Sequence, residues 1–285
     1  LSAARTRLIV DAGTGLRRLG KELVRPDRAK GDDGNAHILI SHTHWDHIQG
    51  LPFFAPLYQA GHRINVYARK RDDARLRQVL AQQVDAPYFP VPLAEARADV
   101  DFRELPDAAR FAVEDVLVSC ARLNHPYIAT AYAMAADGAK VVYVSDTAPF
   151  ESILFGEEFV PGPPPPDREL PQADRARLAA MRADLVRLCE GADLVVYDTM
   201  FTADDYRQVP HFGHSRPSDA IAICKEAGAK RLALFHHAPE RSDAEVDAML
   251  ADAREQAKRV APGLEVSAAF EGLELTFGTH DGGGR

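Results

Sequence analysis

Ser41-His42-Thr43-His44-Trp45-Asp46-His47 follows directly on the apolar run His37-Ile38-Leu39-Ile40. That run reads as a buried strand, so the polar stretch emerges at a strand end. Histidine is the commonest nitrogen ligand for zinc, and a carboxylate adds a hard oxygen donor. His42 and His44 stand two positions apart, and side chains at that spacing leave a strand end on the same side. Both imidazoles can therefore meet one ion. Asp46 and His47 come after the chain has begun to turn, where they can face a second ion. The spacing points to a binuclear site.

Other metal-ligating residues stop or follow apolar runs in the same way. Asp11 follows Leu8-Ile9-Val10, Asp146 follows Val141-Val142-Tyr143-Val144-Ser145, and His236 follows Leu232-Ala233-Leu234-Phe235. His125 lies in Asn124-His125-Pro126. By itself it reads equally well as a hydrogen-bonded loop histidine or as a ligand. The order His-x-His-x-Asp-His, with these positions around it, resembles the metallo-β-lactamase superfamily over nearly the whole chain. The resemblance implies an α/β fold, a four-layer αβ/βα sandwich in which two mixed β-sheets are flanked by helices. It also implies a ligand set. His42, His44 and His125 would hold one metal, Asp46, His47 and His236 the second, and Asp146 would bridge both. Asp11 would support the histidine motif through hydrogen bonds without touching metal.

Two further segments, Tyr197-Asp198-Thr199-Met200-Phe201 and Gly213-His214-Ser215, resemble the ribonuclease Z branch of that superfamily and its phosphodiesterase relatives. The branch carries His-Glu-Ala-Thr-Phe and a later Gly-His-Ser. Here Asp198 stands where the Glu would be, Tyr197 replaces the His, and Phe201 is kept. The resemblance gives catalytic roles to His214, oriented by Asp198, and to Asp46. Asp is shorter than Glu, so an altered or water-mediated link from Asp198 to His214 is expected. The alternative is that His214 caps a helix start and Asp198 is a loop carboxylate. A flexible, basic, Gly-rich arm of the kind that grips transfer RNA is not found, which favours a small phosphodiester or nucleotide as substrate. The implied chemistry is attack on phosphorus by a hydroxide shared between two divalent metal ions. Zinc is the default, and histidine with carboxylate also accepts manganese or iron. The alternative is hydrolysis of a thioester, lactone or β-lactam by the same centre. An iron oxidoreductase and a catalytically silent binding protein rank lower, because every expected ligand is present.

Composition sets the frame. The chain has 285 residues, 46% of them hydrophobic, enough for a substantial core. Net charge is -8 at pH 7, which argues against bulk nucleic-acid binding and leaves a small anionic substrate at a metal-lined cleft as the expected partner. No apolar stretch is long enough to span a membrane. A homodimer is allowed. Cys120, Cys189 and Cys224 are far apart and form no CxxC pattern, so a reducing, cytoplasmic setting is expected. The chain starts at Leu1, so a signal peptide ahead of it would be invisible. One domain is expected over residues 1–280, with an exposed Pro-rich loop near 160–171 and a disordered tail at 281–285.

The periodicities predict strands over 6–10, 37–40, 64–68, 194–197, 232–235 and 264–268, and a last strand over 273–277. They predict helices over 15–24, 72–84, 172–189, 215–227 and 242–260, and a helical start at Pro52. A meander is expected over 100–123, and a hairpin around Asp137-Gly138. Arg69-Lys70-Arg71 reads as a solvated helix start.

Overall fold

The computed structural model describes residues 2–3, 6–25, 35–127, 129–151, 153–156 and 169–277. Most of the Pro-rich loop, from 160 to 168, and the expected tail at 281–285 lie outside the described residues. The chain divides into two compact units, Leu1–Val116 and Leu117–Arg285.

The first unit holds a sheet in the order β1-β2-β3-β4-β5. Its strands are β1 (Ser2–Ala3), β2 (Thr6–Val10), β3 (Ala36–Ile40), β4 (Arg63–Arg69) and β5 (Asp99–Leu105). β1 pairs antiparallel with β2, and the others run parallel. Parallel neighbours need crossovers, supplied here by α1 (Gly15–Leu23), the short α2 (Trp45–Ile48) and α3 (Leu76–Gln82). β3 is buried along its whole length, as a central parallel strand requires. Ile38, Ile40, Ile64 and Val66 form one core with Leu16, Leu23, Leu76 and Leu80 of the helices. β6 (Arg110–Val113) is the last strand of this unit. β5 departs from the expected meander: it runs parallel to β4 in full register, from Arg63 opposite Asp99 to Arg69 opposite Leu105. The helix expected from Pro52 is instead two 3-10 turns, Leu51–Phe53 and Ala55–Tyr58, each opened by a proline.

The second unit holds a mixed sheet in the order β12-β11-β10-β9-β8-β7. Its strands are β7 (Val116–Arg122), β8 (Thr130–Ala136), β9 (Ala139–Val144), β10 (Leu194–Asp198), β11 (Arg231–Phe235) and β12 (Glu265–Ala268). β7, β8 and β9 are antiparallel, and β9 to β12 are parallel. Asp137 and Gly138 both take positive φ, 50° and 76°, as the tight β8–β9 hairpin requires. α4 (Gln172–Cys189), α5 (Ala203–Gln208), α6 (Pro217–Ala227) and α7 (Asp243–Val260) make the crossovers. Ser242 begins α7 with its N–H and Oγ both donating to the Glu245 carboxylate, a capping pair at the helix start. Val195, Tyr197, Leu232 and Leu234 pack with Ile221, Cys224, Ala253 and Ala257 of α6 and α7. The strand expected over 273–277 does not form: these residues pair with no strand of the described sheets.

In an open parallel sheet, ligands bind beyond the carboxyl ends of the strands. Asp11 follows β2 and His42 follows β3 in the first unit. Asp146 follows β9, Asp198 ends β10 and His236 follows β11 in the second. Ile38 is fully buried at the centre of the first sheet, so Ile38→Ala should lower the unfolding free energy by roughly 2–5 kcal/mol. Urea unfolding measures this, and an unchanged midpoint would place Ile38 outside the cooperative core.

Candidate metal centre

In the first unit the site is organised by one carboxylate. Asp11 leaves β2 with a left-handed backbone, φ 61°, a conformation uncommon for non-glycine residues but more accessible to Asp than to most. Its Oδ1 accepts the Ser41 N–H at 2.7 Å, and its Oδ2 accepts the Ser41 hydroxyl and His47 Nδ1–H, both at 2.8 Å. Ser41 Oγ, its proton given to Asp11, accepts from His42 Nδ1–H at 3.1 Å. Both imidazoles are therefore fixed as the tautomer whose Nε2 carries the lone pair. The ring centroids of His42 and His47 are 4.1 Å apart, and those of His42 and His44 are 4.6 Å apart. His47 Nε2 stands 3.2 Å from Asp46 Oδ2.

Backbone contact locks this arrangement. Ala12 N–H donates to His47 O, and Gly50 N–H donates to Ala12 O, each at 2.7 Å. A Cβ on Gly50 would lie 1.9 Å from Gly13 O, so only glycine fits there. Arg71 Nη1 donates to Thr43 Oγ1 at 2.9 Å and pairs with Asp73. It therefore tethers the motif and does not serve as the expected solvated helix start.

In the second unit Asp146 is the centre. His236, also left-handed at φ 60°, places Nε2 3.3 Å from Asp146 Oδ1. His125 donates from Nδ1 to Gly213 O at 2.9 Å and turns Nε2 toward Asp146 Oδ2, 3.7 Å away. Gly213 has φ 85°, and a Cβ there would sit 2.7 Å from His125 Nδ1. The glycine of Gly213-His214-Ser215 thus makes room for the His125 ring. Asn124 staples the following loop, accepting from Phe155 N–H and donating to the carbonyls of Pro149 and Ile153.

His214 lies beside this set. Its Nδ1 donates directly to Asp198 Oδ2 at 3.0 Å, so the altered or water-mediated link expected from the shorter Asp is not what forms. The carboxylate reaches because it sits at the end of β10, braced by the N–H groups of Thr147 and Met200 at 3.0 and 3.1 Å. The His214 ring stacks on His236 at 5.0 Å and meets the edge of Phe201 at 5.4 Å. Burial pulls the His214 pKa down, but the charge and hydrogen bond of Asp198, with Asp146 behind them, outweigh it and hold the pKa above the usual histidine value. Asp198, His214 and His236 also offer ligand atoms within 4.8 Å of one another. His237, without a role in the sequence reading, bonds Ala269 O through Nε2 at 3.0 Å.

The donor chemistry fits a divalent ion in both units. Tetrahedral coordination with bonds of about 2.0–2.2 Å places two ligands about 3.3–3.6 Å apart. The pairs His47–Asp46, His236–Asp146 and His125–Asp146, at 3.2, 3.3 and 3.7 Å, fall at or near that spacing. The three cysteines are buried, and burial pushes the Cys189 thiol up to about 12, which disfavours a thiolate ligand there.

A family model described as Beta-lactamase superfamily domain matches residues 6–159 of this chain. The chain belongs to that superfamily. Among curated proteins, a Ribonuclease Z from Myxococcus xanthus is 26% identical over 96% of this chain and 89% of its own length. Among solved structures, the metallo-beta-lactamase fold protein YhfI from Bacillus subtilis aligns with TM-score 0.62 and 20% identity, covering 95% of this chain and 88% of that one. Unliganded yeast PDE1 aligns with TM-score 0.62 and 15% identity, covering 95% and 92%. The fold is thus the metallo-β-lactamase fold, and the chain is a metal-dependent hydrolase similar to ribonuclease Z.

Asp11→Ala removes the acceptor that orients His42 and His47. Metal affinity, read by chelator competition, is expected to fall about tenfold to hundredfold. Unchanged affinity would show that the Asp11–Ser41–His42 chain does not position the ligands. Gly213→Ala should weaken metal binding as well, by driving a methyl group against the His125 ring. Wild-type metal affinity in Gly213→Ala would argue against that packing role.

Proposed function

We propose that the two ligand sets serve one binuclear centre and that the protein is a phosphodiesterase acting on a small phosphodiester or nucleotide. In this reading one domain spans 1–280. His42, His44 and His125 hold one ion, Asp46, His47 and His236 hold the other, and Asp146 is shared. Zinc is the first choice, with manganese or iron also suited to histidine and carboxylate. Two bound divalent ions would supply an activated water at neutral pH and positive charge for the phosphoryl oxygens.

The observation that carries the phosphodiester reading is the buried Asp198–His214 pair beside Asp146. Its hydrogen bond fixes Nδ1 as the donor to Asp198, so Nε2 is the atom left for substrate. The charge and hydrogen bond of Asp198 favour the protonated ring. Such a group stabilises charge on equatorial oxygens and gives a proton to a leaving alkoxide. Branches of the superfamily that hydrolyse carboxyl derivatives generally lack the Gly-His-Ser segment, so thioesters, lactones and β-lactams rank behind.

RNA is a second reading, favoured by curated relatives named Ribonuclease Z. The net charge of -8 tells against a broad polyanion surface and leaves the small diester first. Among the described residues no helix is long and apolar enough to cross a membrane, and a cytoplasmic site of action completes the proposal.

Turnover of a chromogenic phosphodiester, a thioester and a transfer-RNA precursor by metal-loaded protein separates these readings. The first should be preferred. Asp146→Ala should lose metal and activity together. His214→Ala should keep metal and lose turnover by about 10²–10⁴-fold. Full activity in metal-replete His214→Ala would remove the proton-donor role, and preference for the thioester would overturn the phosphodiesterase reading.

A further inference from the structure

Trp45 stands between His44 and Asp46 and is the single tryptophan of the chain. It is 59% exposed. Phe53 is 53% exposed and meets the Phe89 ring edge-on at 5.5 Å, with Tyr88 beside it more exposed still. The same short segment buries Ile48, Leu51, Pro52 and Phe54. A core was therefore within reach, and these two aromatic residues are turned away from it. The backbone between them is tightly held. Gln49 N–H donates to Trp45 O at 2.8 Å, Phe53 N–H donates to Gly50 O at 3.0 Å, and Gly50 is bonded to Ala12. The bonds that fix the ligand motif thus also hold the backbone that carries the exposed rings.

Exposed aromatic faces suit a planar partner, since bases stack on them without regard to sequence. An uncharged base suits an acidic chain better than a second acidic surface or an anionic membrane does. We propose that the exposed ring of Trp45, carried between His44 and Asp46, stacks on the base of a nucleotide phosphodiester whose phosphate lies at those neighbouring ligands. This rests on the phosphodiesterase reading and narrows it to nucleotides.

Trp45 supplies its own signal, because all tryptophan emission comes from it. Metal-loaded full-length protein is titrated with adenosine monophosphate and, separately, with ribose phosphate, which offers the same phosphate without a base. The nucleotide should quench the emission saturably and ribose phosphate should not. Equal responses to both ligands, or no response in protein that hydrolyses the chromogenic diester, would overturn the stacking. Emission that follows protein concentration and ignores nucleotide would make the patch a self-association surface and overturn it too. Base-specific quenching in protein that hydrolyses no phosphodiester would support the stacking and count against the phosphodiesterase reading alone.

Discussion

The carboxylate of Asp11 is the constraint on which the histidine motif depends. It takes a backbone amide, a hydroxyl and an imidazole proton at once. Through Ser41 it sets the tautomer of His42, and directly it sets that of His47. A histidine ligand is useful only when the correct nitrogen is presented, and an unconstrained ring samples both. Asp11 can do this because its left-handed backbone turns the chain back over the end of β3. The glycines at 13 and 50 then let two backbones touch.

The second unit uses the same device with different parts. His125 is oriented by a carbonyl, His214 by a carboxylate, and both bonds run through the short segment Gly213-His214-Ser215. Ser215 ties that segment to the loop after Asp146, its hydroxyl donating to Thr147 O at 2.6 Å. Ligand and proton-transfer candidates are therefore mechanically coupled. Asp198 is fully buried in this network, and the N–H groups of Thr147 and Met200 brace its carboxylate at the strand end.

The motif positions were legible because they break periodicity. Asp11, His42, Asp146 and His236 each interrupt or follow an apolar strand, and a polar ligand there has no role in a core. The long helices and central strands were legible for the converse reason, their periods being unbroken. What escaped was set by partners distant in sequence. The parallel pairing of β5 with β4 depends on register, which local alternation does not encode. Arg71 looked solvated until Thr43 came within reach, and Asn124 carries no local signal of the three bonds it makes. The direct Asp198–His214 bond escaped because chain length alone suggested a gap.

A fold of this kind hosts many chemistries, so the decisive evidence must come from the site. X-ray absorption at the metal edge of the loaded protein addresses it most directly. Coordination by nitrogen and oxygen alone is expected, with a second metal scattering at about 3.5–4 Å. A sulfur shell, or a single isolated metal at full loading, would contradict it.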